Sequence, residues 1–115
     1  MLRTIGIAIW IAVALPDLVM AQRGAAFYNG DVIYQWCTST AEYLRSRCMA
    51  YIVAVADGMA GPSGLYRRTA CIPLYVTGEQ FIAVAVRYLR EHAAERDNIA
   101  ANLIASALSQ AFPCR

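Results

Sequence analysis

The sequence predicts an all-α fold: a small disulfide-stapled helical bundle of three main helices plus a short N-terminal helix. Three observations predict it. Apolar residues recur at helical spacing in three separate stretches, two of those stretches open on capping-box patterns, and four cysteines are spread among them. No segment alternates convincingly like a strand; Ile72–Thr77 comes nearest and carries Pro73.

The first residues read as a secretory signal. Arg3 supplies the positive start, Ile5–Leu15 is an apolar run, Pro16 and Asp17 end it, and Val19–Met20–Ala21 is a small-x-small cleavage site. The run is far short of the roughly 20 residues needed to span a bilayer. Residues 1–21 are therefore expected to be a signal peptide and residues 22–115 the mature domain. No cysteine follows the cleavage site to carry a lipid.

Gln22–Tyr28 reads as a flexible leader, with Phe27 and Tyr28 docking its end. Asn29–Gly30–Asp31 then provides a turn and a cap for a short helix through Val32, Ile33, Trp36 and Cys37. Ser39-x-x-Glu42 is a capping-box pattern, which predicts a second helix from there to about Met59. Leu44, Cys48, Tyr51, Ile52, Val55 and Met59 recur along it at steps of four, three, one, three and four, one face of a helix. Ala50, Ala54 and Ala56 fill the other positions and predict close approach of neighbouring helices. This helix is expected to be the central one.

Gly58, Gly61, Pro62 and Gly64 end it and open a loop through Leu65, Tyr66, Arg67 and Arg68 to Cys71–Ile72–Pro73. Thr77-x-x-Gln80 is a second capping box. The helix after it places Phe81, Val84, Ala85, Tyr88, Leu89 and His92 on one face and Arg87, Arg90, Glu91 and Glu95 on a solvated one. Asp97 or Asn98 is expected to cap the last helix, with Ile99, Leu103, Ile104, Ala107, Leu108 and Ala111 on its apolar side. Phe112–Pro113–Cys114 closes the chain.

An even number of cysteines in a short exported chain predicts two disulfides, made from Cys37, Cys48, Cys71 and Cys114. Three pairings are possible. One straight helix holding both Cys37 and Cys48 would keep them about 16 Å apart, but the Ser39 cap implies a break between them. Antiparallel packing of the last two helices would bring the Cys71 loop towards Cys114. The reading leans to Cys37–Cys48 with Cys71–Cys114.

Composition narrows the function classes. The formal net charge is +2 with ten basic residues, all of them Arg, and it remains +2 once Arg3 and Asp17 leave with the signal. Such a balance gives no argument for nucleic acid or a polybasic membrane contact. No C-x-x-C half-site suggests zinc or haem, and no phosphate loop or paired carboxylates suggest catalysis. The single histidine, His92, continues an apolar helix face and reads as a packing or capping residue. No catalytic, metal or cofactor site is expected. Binding is the remaining class. The Gly58–Tyr75 connection is long for a helical domain, and its Leu65, Tyr66, Arg67 and Arg68 are candidate partner-binding residues. Tyr51, Asp57 and Tyr88 are read as an internal polar contact.

Cys48-x-x-Tyr51–Ile52 with Asp57, then Cys71–Ile72–Pro73, Val76–Thr77, Gln80, Val84-x-Val86, Tyr88–Leu89, Ala107–Leu108 and Phe112–Pro113–Cys114 follow one another in this order. As a set, spanning roughly Asn29 to Cys114, they resemble the Rap/Tai family of bacterial immunity proteins linked to type VI secretion amidase effectors. On that resemblance Tyr51, Asp57, Pro73, Gln80, Tyr88 and Pro113 form a scaffold signature. It implies a helical periplasmic protein, often a homodimer, that binds a secreted peptidoglycan amidase effector and blocks its active site sterically. Two departures stand out. Ala50 and Ala54 occupy positions where the family usually has glycine, and His92–Ala93 replaces the usual His-Pro. The alternative is a periplasmic stress or envelope-maintenance binding protein of the same fold without a cognate amidase; one histidine and few acids offer little for an acid-triggered switch.

Overall fold

Four α-helices and one 3₁₀ turn organise residues 26–115, the part of the chain that the computed structural model describes. The expected signal peptide, and the leader up to residue 25, lie outside the described residues. Helix α1 runs Gly30–Thr38, α2 Glu42–Met59, α3 Gly78–Glu91 and α4 Ala100–Ala111, with a 3₁₀ turn at Ala93–Glu95 between the last two. The described residues contain isolated bridges but no strand. The all-α expectation holds.

Local chemistry sets most of the boundaries. Asn29 caps α1, its side-chain oxygen accepting from the Val32 N–H at 3.1 Å. Thr77 caps α3 through a complete capping box: its hydroxyl accepts from the Gln80 N–H at 3.2 Å, and the Gln80 side chain accepts from the Thr77 N–H at 2.8 Å. The expected box at Ser39 does not form. Ser39 is instead the C-cap of α1, and its hydroxyl accepts from the Ala41 N–H at 3.0 Å, so α2 starts from Ala41 without a side-chain cap. The last helix also lacks the expected Asp97 or Asn98 cap; Ile99 precedes it and no side chain caps it. There the backbone substitutes. Ala100 N–H donates to the Tyr28 carbonyl and Gly30 N–H to the Asn98 carbonyl, in a one-residue antiparallel bridge between Asn29 and Ile99.

The centre of the bundle is α4, not α2. Ala100 and every residue from Leu103 to Leu108 are buried, including Ser106, whose hydroxyl donates back to the Asn102 carbonyl at 3.0 Å. A helix apolar all round is a buried helix. By contrast α2 buries only Cys48, Ile52, Val55 and Met59, and leaves Met49, Ala50, Val53 and Ala54 exposed. Of the small residues expected to admit neighbouring helices, only Ala56 packs against the core. On α3 the fully buried stripe is Ile82, Ala85 and Leu89, while the expected Phe81, Val84 and Tyr88 are half-buried at its margin. Helix α3 touches α1, α2 and α4, which turns its buried face towards Ile82.

Two disulfides close the bundle in the favoured arrangement. Cys37–Cys48 joins α1 to α2 with Cα atoms 5.1 Å apart, and Cys71–Cys114 joins the long loop to the end of α4 at 4.9 Å. The second is reinforced by the Cys71 N–H donating to the Phe112 carbonyl at 2.8 Å. Arg45 and Glu79, 2.7 Å apart, link α2 to the start of α3; exposed pairs of this kind are worth about 0–1 kcal/mol.

Candidate functional site: a hairpin tip and an aromatic groove

The long loop after α2 contains a two-residue hairpin. Leu65 and Arg68 exchange both backbone hydrogen bonds, at 3.0 and 2.9 Å, and Tyr66 and Arg67 turn the chain with φ of 51° and 60°. Positive φ at both central residues is the type I′ geometry, which favours Asn-Gly. Tyrosine and arginine there hold strain of about 1 kcal/mol or more each. Gly64 enters the turn at φ 62°, where a Cβ would lie 2.1 Å from the Arg68 carbonyl oxygen. The backbone thus forces two large side chains outward.

The four loop residues singled out by sequence divide into two pairs. Leu65 is half-buried and packs against the core, beside Gly58. Arg68 turns inward, its guanidinium donating to the Asn102 side-chain oxygen at 2.8 Å. Tyr66 and Arg67 remain exposed at the tip. Leu65 and Arg68 anchor the hairpin; Tyr66 and Arg67 are what it presents.

A separate groove of about 430 Å³ is lined by Tyr28, Trp36, Arg47, Ala50 and Tyr51. The Tyr28 ring meets Trp36 edge-on at 4.9 Å and Tyr51 edge-on at 6.1 Å. The Arg47 guanidinium sits 5.8 Å from the centres of both Trp36 and Tyr43. Burial pushes the Tyr51 phenol above its ordinary range, the neighbouring Tyr66 and Tyr28 phenols add to this, and the Ala101 backbone opposes it.

The scaffold-signature residues do not converge. Tyr51, Asp57 and Tyr88 form no hydrogen bond with one another among the described residues, contrary to the expected internal polar contact. Asp57 is exposed on α2. Tyr88 stacks on His92 at 3.9 Å, and His92 Nδ1 lies 2.8 Å from the Tyr88 carbonyl; a carbonyl only accepts, so Nδ1 carries the proton. Gln80 completes the α3 cap, and exposed Pro113 precedes Cys114. Pro73 lines a second groove, of about 460 Å³, with Tyr75, Val84 and Phe112.

Sequence reasoning placed Trp36 on the short first helix and Tyr28 at the docked end of the leader, and did not single out Arg47. The available signal was the i, i+4 pairing of Arg47 with Tyr51 on α2; its meeting with Tyr28 and Trp36 depends on how α1 packs. Another cluster also went unread. The Arg96 guanidinium lies 4.2 Å from the Tyr34 ring centre, and hydrogen bonding from Arg90, foremost, and Arg96 holds the Tyr34 phenol below its ordinary range.

No group of three or more His, Cys, Asp or Glu among the described residues is placed to hold a metal ion. No helix among them is long and apolar enough to cross a membrane. What the arrangement presents is contact surface: a strained tip, and rings with a cation beside them. In comparison with known proteins, the family described as Rap1a immunity proteins matches residues 29–114. A search of the curated proteins returns no match. With nearly all of the described bundle inside that match, the chain belongs to the Rap1a immunity protein family.

Proposed function

We propose that this protein works in the periplasm as an immunity protein that binds a type VI secreted peptidoglycan amidase and blocks its active site by occupation. The observation that carries the reading is the family match over residues 29–114, which points to binding of a secreted effector. A non-enzymatic inhibitory role follows from the same membership. The two disulfides suit an oxidising compartment, in keeping with export through the signal sequence read at residues 1–21.

Steric inhibition needs a rigid surface more than reactive groups. The hairpin supplies one, because Arg68 and Leu65 tie it to α4 and the core while Tyr66 and Arg67 project. A fixed tip loses little conformational freedom on binding. These two residues are the contacts we assign to the amidase, with Leu65 and Arg68 supporting them. Self-association as a homodimer belongs to the same reading and is checked by sedimentation.

The test is co-export of the chain with amidases encoded beside its gene, followed by recovery of a complex and protection from lysis. A stable complex and surviving cells support the reading. Lysis of cells exporting both proteins, without any complex, rejects it in favour of an envelope-maintenance binding protein. Tyr66→Ala and Arg67→Ala are expected to weaken the complex without loss of helicity.

A further inference from the structure

We propose that the aromatic groove at Arg47, between Trp36 of α1 and Tyr51 of α2, is the seat for a loop of a protein partner, one that carries a carboxylate next to an aromatic or branched aliphatic side chain. This rests on the reading that the chain binds a protein, and it names the chemistry that partner presents.

The floor follows from helical spacing. Arg47, Ala50, Tyr51 and Ala54 fall at steps of three, one and three and share one side of α2. Ala50 and Ala54 are exposed and carry only a methyl group, so another chain's backbone can lie close against them. Trp36 and Tyr28 wall the groove, and Arg47, Ala50 and Tyr51 line it from α2. A groove of about 430 Å³ sits low in the ordinary range of ligand sites, about 300–1,000 Å³. That suits one or two side chains of a loop.

The charge selects the occupant. The described residues contain two ion pairs, Arg45–Glu79 and Arg96–Asp31; neither Arg47 nor Arg67 belongs to one. Arg47 thus brings the groove a cation without a carboxylate partner among the described residues. Asp57, also outside any ion pair, lies three residues beyond Ala54 on α2 and does not line the groove. Tyr, Trp and Arg around a shallow apolar floor is the composition in which binding energy concentrates at protein interfaces. The edge-on packing of Tyr28 against Trp36 and Tyr51 holds these rings in place beforehand. The Pro73–Phe112 groove has no charged residue in its lining and offers no such selection.

The test uses the full chain labelled with ¹⁵N and two blocked peptides, Ac-Gly-Glu-Phe-Gly-NH₂ and its Gln counterpart. The expected result is saturable shifts of the Trp36 indole N–H and the Ala50, Tyr51 and Ala54 amides with the Glu peptide. Binding should be at least tenfold weaker with the Gln peptide, and at least tenfold weaker with Arg47→Gln protein of unchanged helicity. Equal response to both peptides, no response, or shifts confined to the Pro73–Phe112 groove would overturn the proposal. A second titration uses a purified amidase. If the amidase binds wild type and Arg47→Gln equally, the groove proposal fails while the immunity reading stands. Should the Glu peptide bind as expected and no amidase bind at all, the immunity reading fails and the groove stands.

Discussion

Graded reduction should separate the two disulfides. Cys37 and Cys48 lie in the core, 1% and 0% exposed, whereas Cys71 and Cys114 are both exposed. Thiol–disulfide exchange needs an attacking thiolate to reach a sulfur in line. In native buffer with dithiothreitol, Cys71–Cys114 is therefore expected to open first, while Cys37–Cys48 waits for the bundle to unfold. The exposed bridge also contributes more to stability. It joins residues 43 apart in sequence, against 11 for the buried one. Loop-closure entropy then assigns about 4 kcal/mol to the first and about 3 kcal/mol to the second. Set against a total stability of about 5–15 kcal/mol for a small domain, loss of the first leaves a folded but weakened bundle. Its melting temperature should fall by roughly 20 °C. Timed alkylation with peptide mapping gives the order, and thermal circular dichroism of the singly reduced protein gives the cost. Alkylation of Cys37 and Cys48 before or together with the other pair would refute the reasoning, as would an unchanged melt after Cys71–Cys114 opens.

Three further outcomes are expected. A Cβ on Gly30 would lie 2.5 Å from Leu103 Cδ1 and 2.9 Å from the Arg96 carbonyl oxygen, whereas one on Gly58 meets only Leu65, at 3.5 Å. Urea unfolding should therefore find Gly30→Ala less stable by about 2 kcal/mol and Gly58→Ala more stable by up to about 1 kcal/mol. Converting Tyr66–Arg67 to Asn–Gly satisfies the type I′ turn and should raise stability by about 1 kcal/mol, while amidase affinity measured by calorimetry falls. Phenolate absorbance should show Tyr34 titrating below 10.0 and Tyr51 above it. Between the folded pKa of Tyr34 and 10 the unfolded chain holds more protons, so this group makes stability rise with pH there, an effect removed by Tyr34→Phe. Above 10 the native state retains the Tyr51 proton, and that group makes stability fall as pH rises; urea midpoints across pH read both.

What could be read before folding depended on how local the determinant was. The Thr77–Gln80 box and the Asn29 cap are decided within three residues and were legible. Ser39 and Glu42 have the same spacing, but three residues after Trp36 the serine serves better as the end of α1, a competition the pattern alone does not reveal. The rank of the helices was misread because α2 is the longest helix and holds a half-cystine, whereas α4 buries the small residues Ala105, Ser106 and Ala107 between its larger ones, and only the packing of its neighbours reveals that. The tip residues Tyr66 and Arg67 were visible as loop chemistry. The groove was not, since it joins Tyr28, Trp36 and Arg47 from three elements, and only the packing of α1 on α2 brings them together.

The most direct test of inhibition by occupation is stoichiometric. A purified cognate amidase, cleaving peptidoglycan fragments, is titrated with the purified chain. Activity is predicted to fall linearly to zero at one binding site per enzyme, with nanomolar affinity or tighter, about −12 kcal/mol. Undiminished cleavage in the presence of excess chain would contradict it.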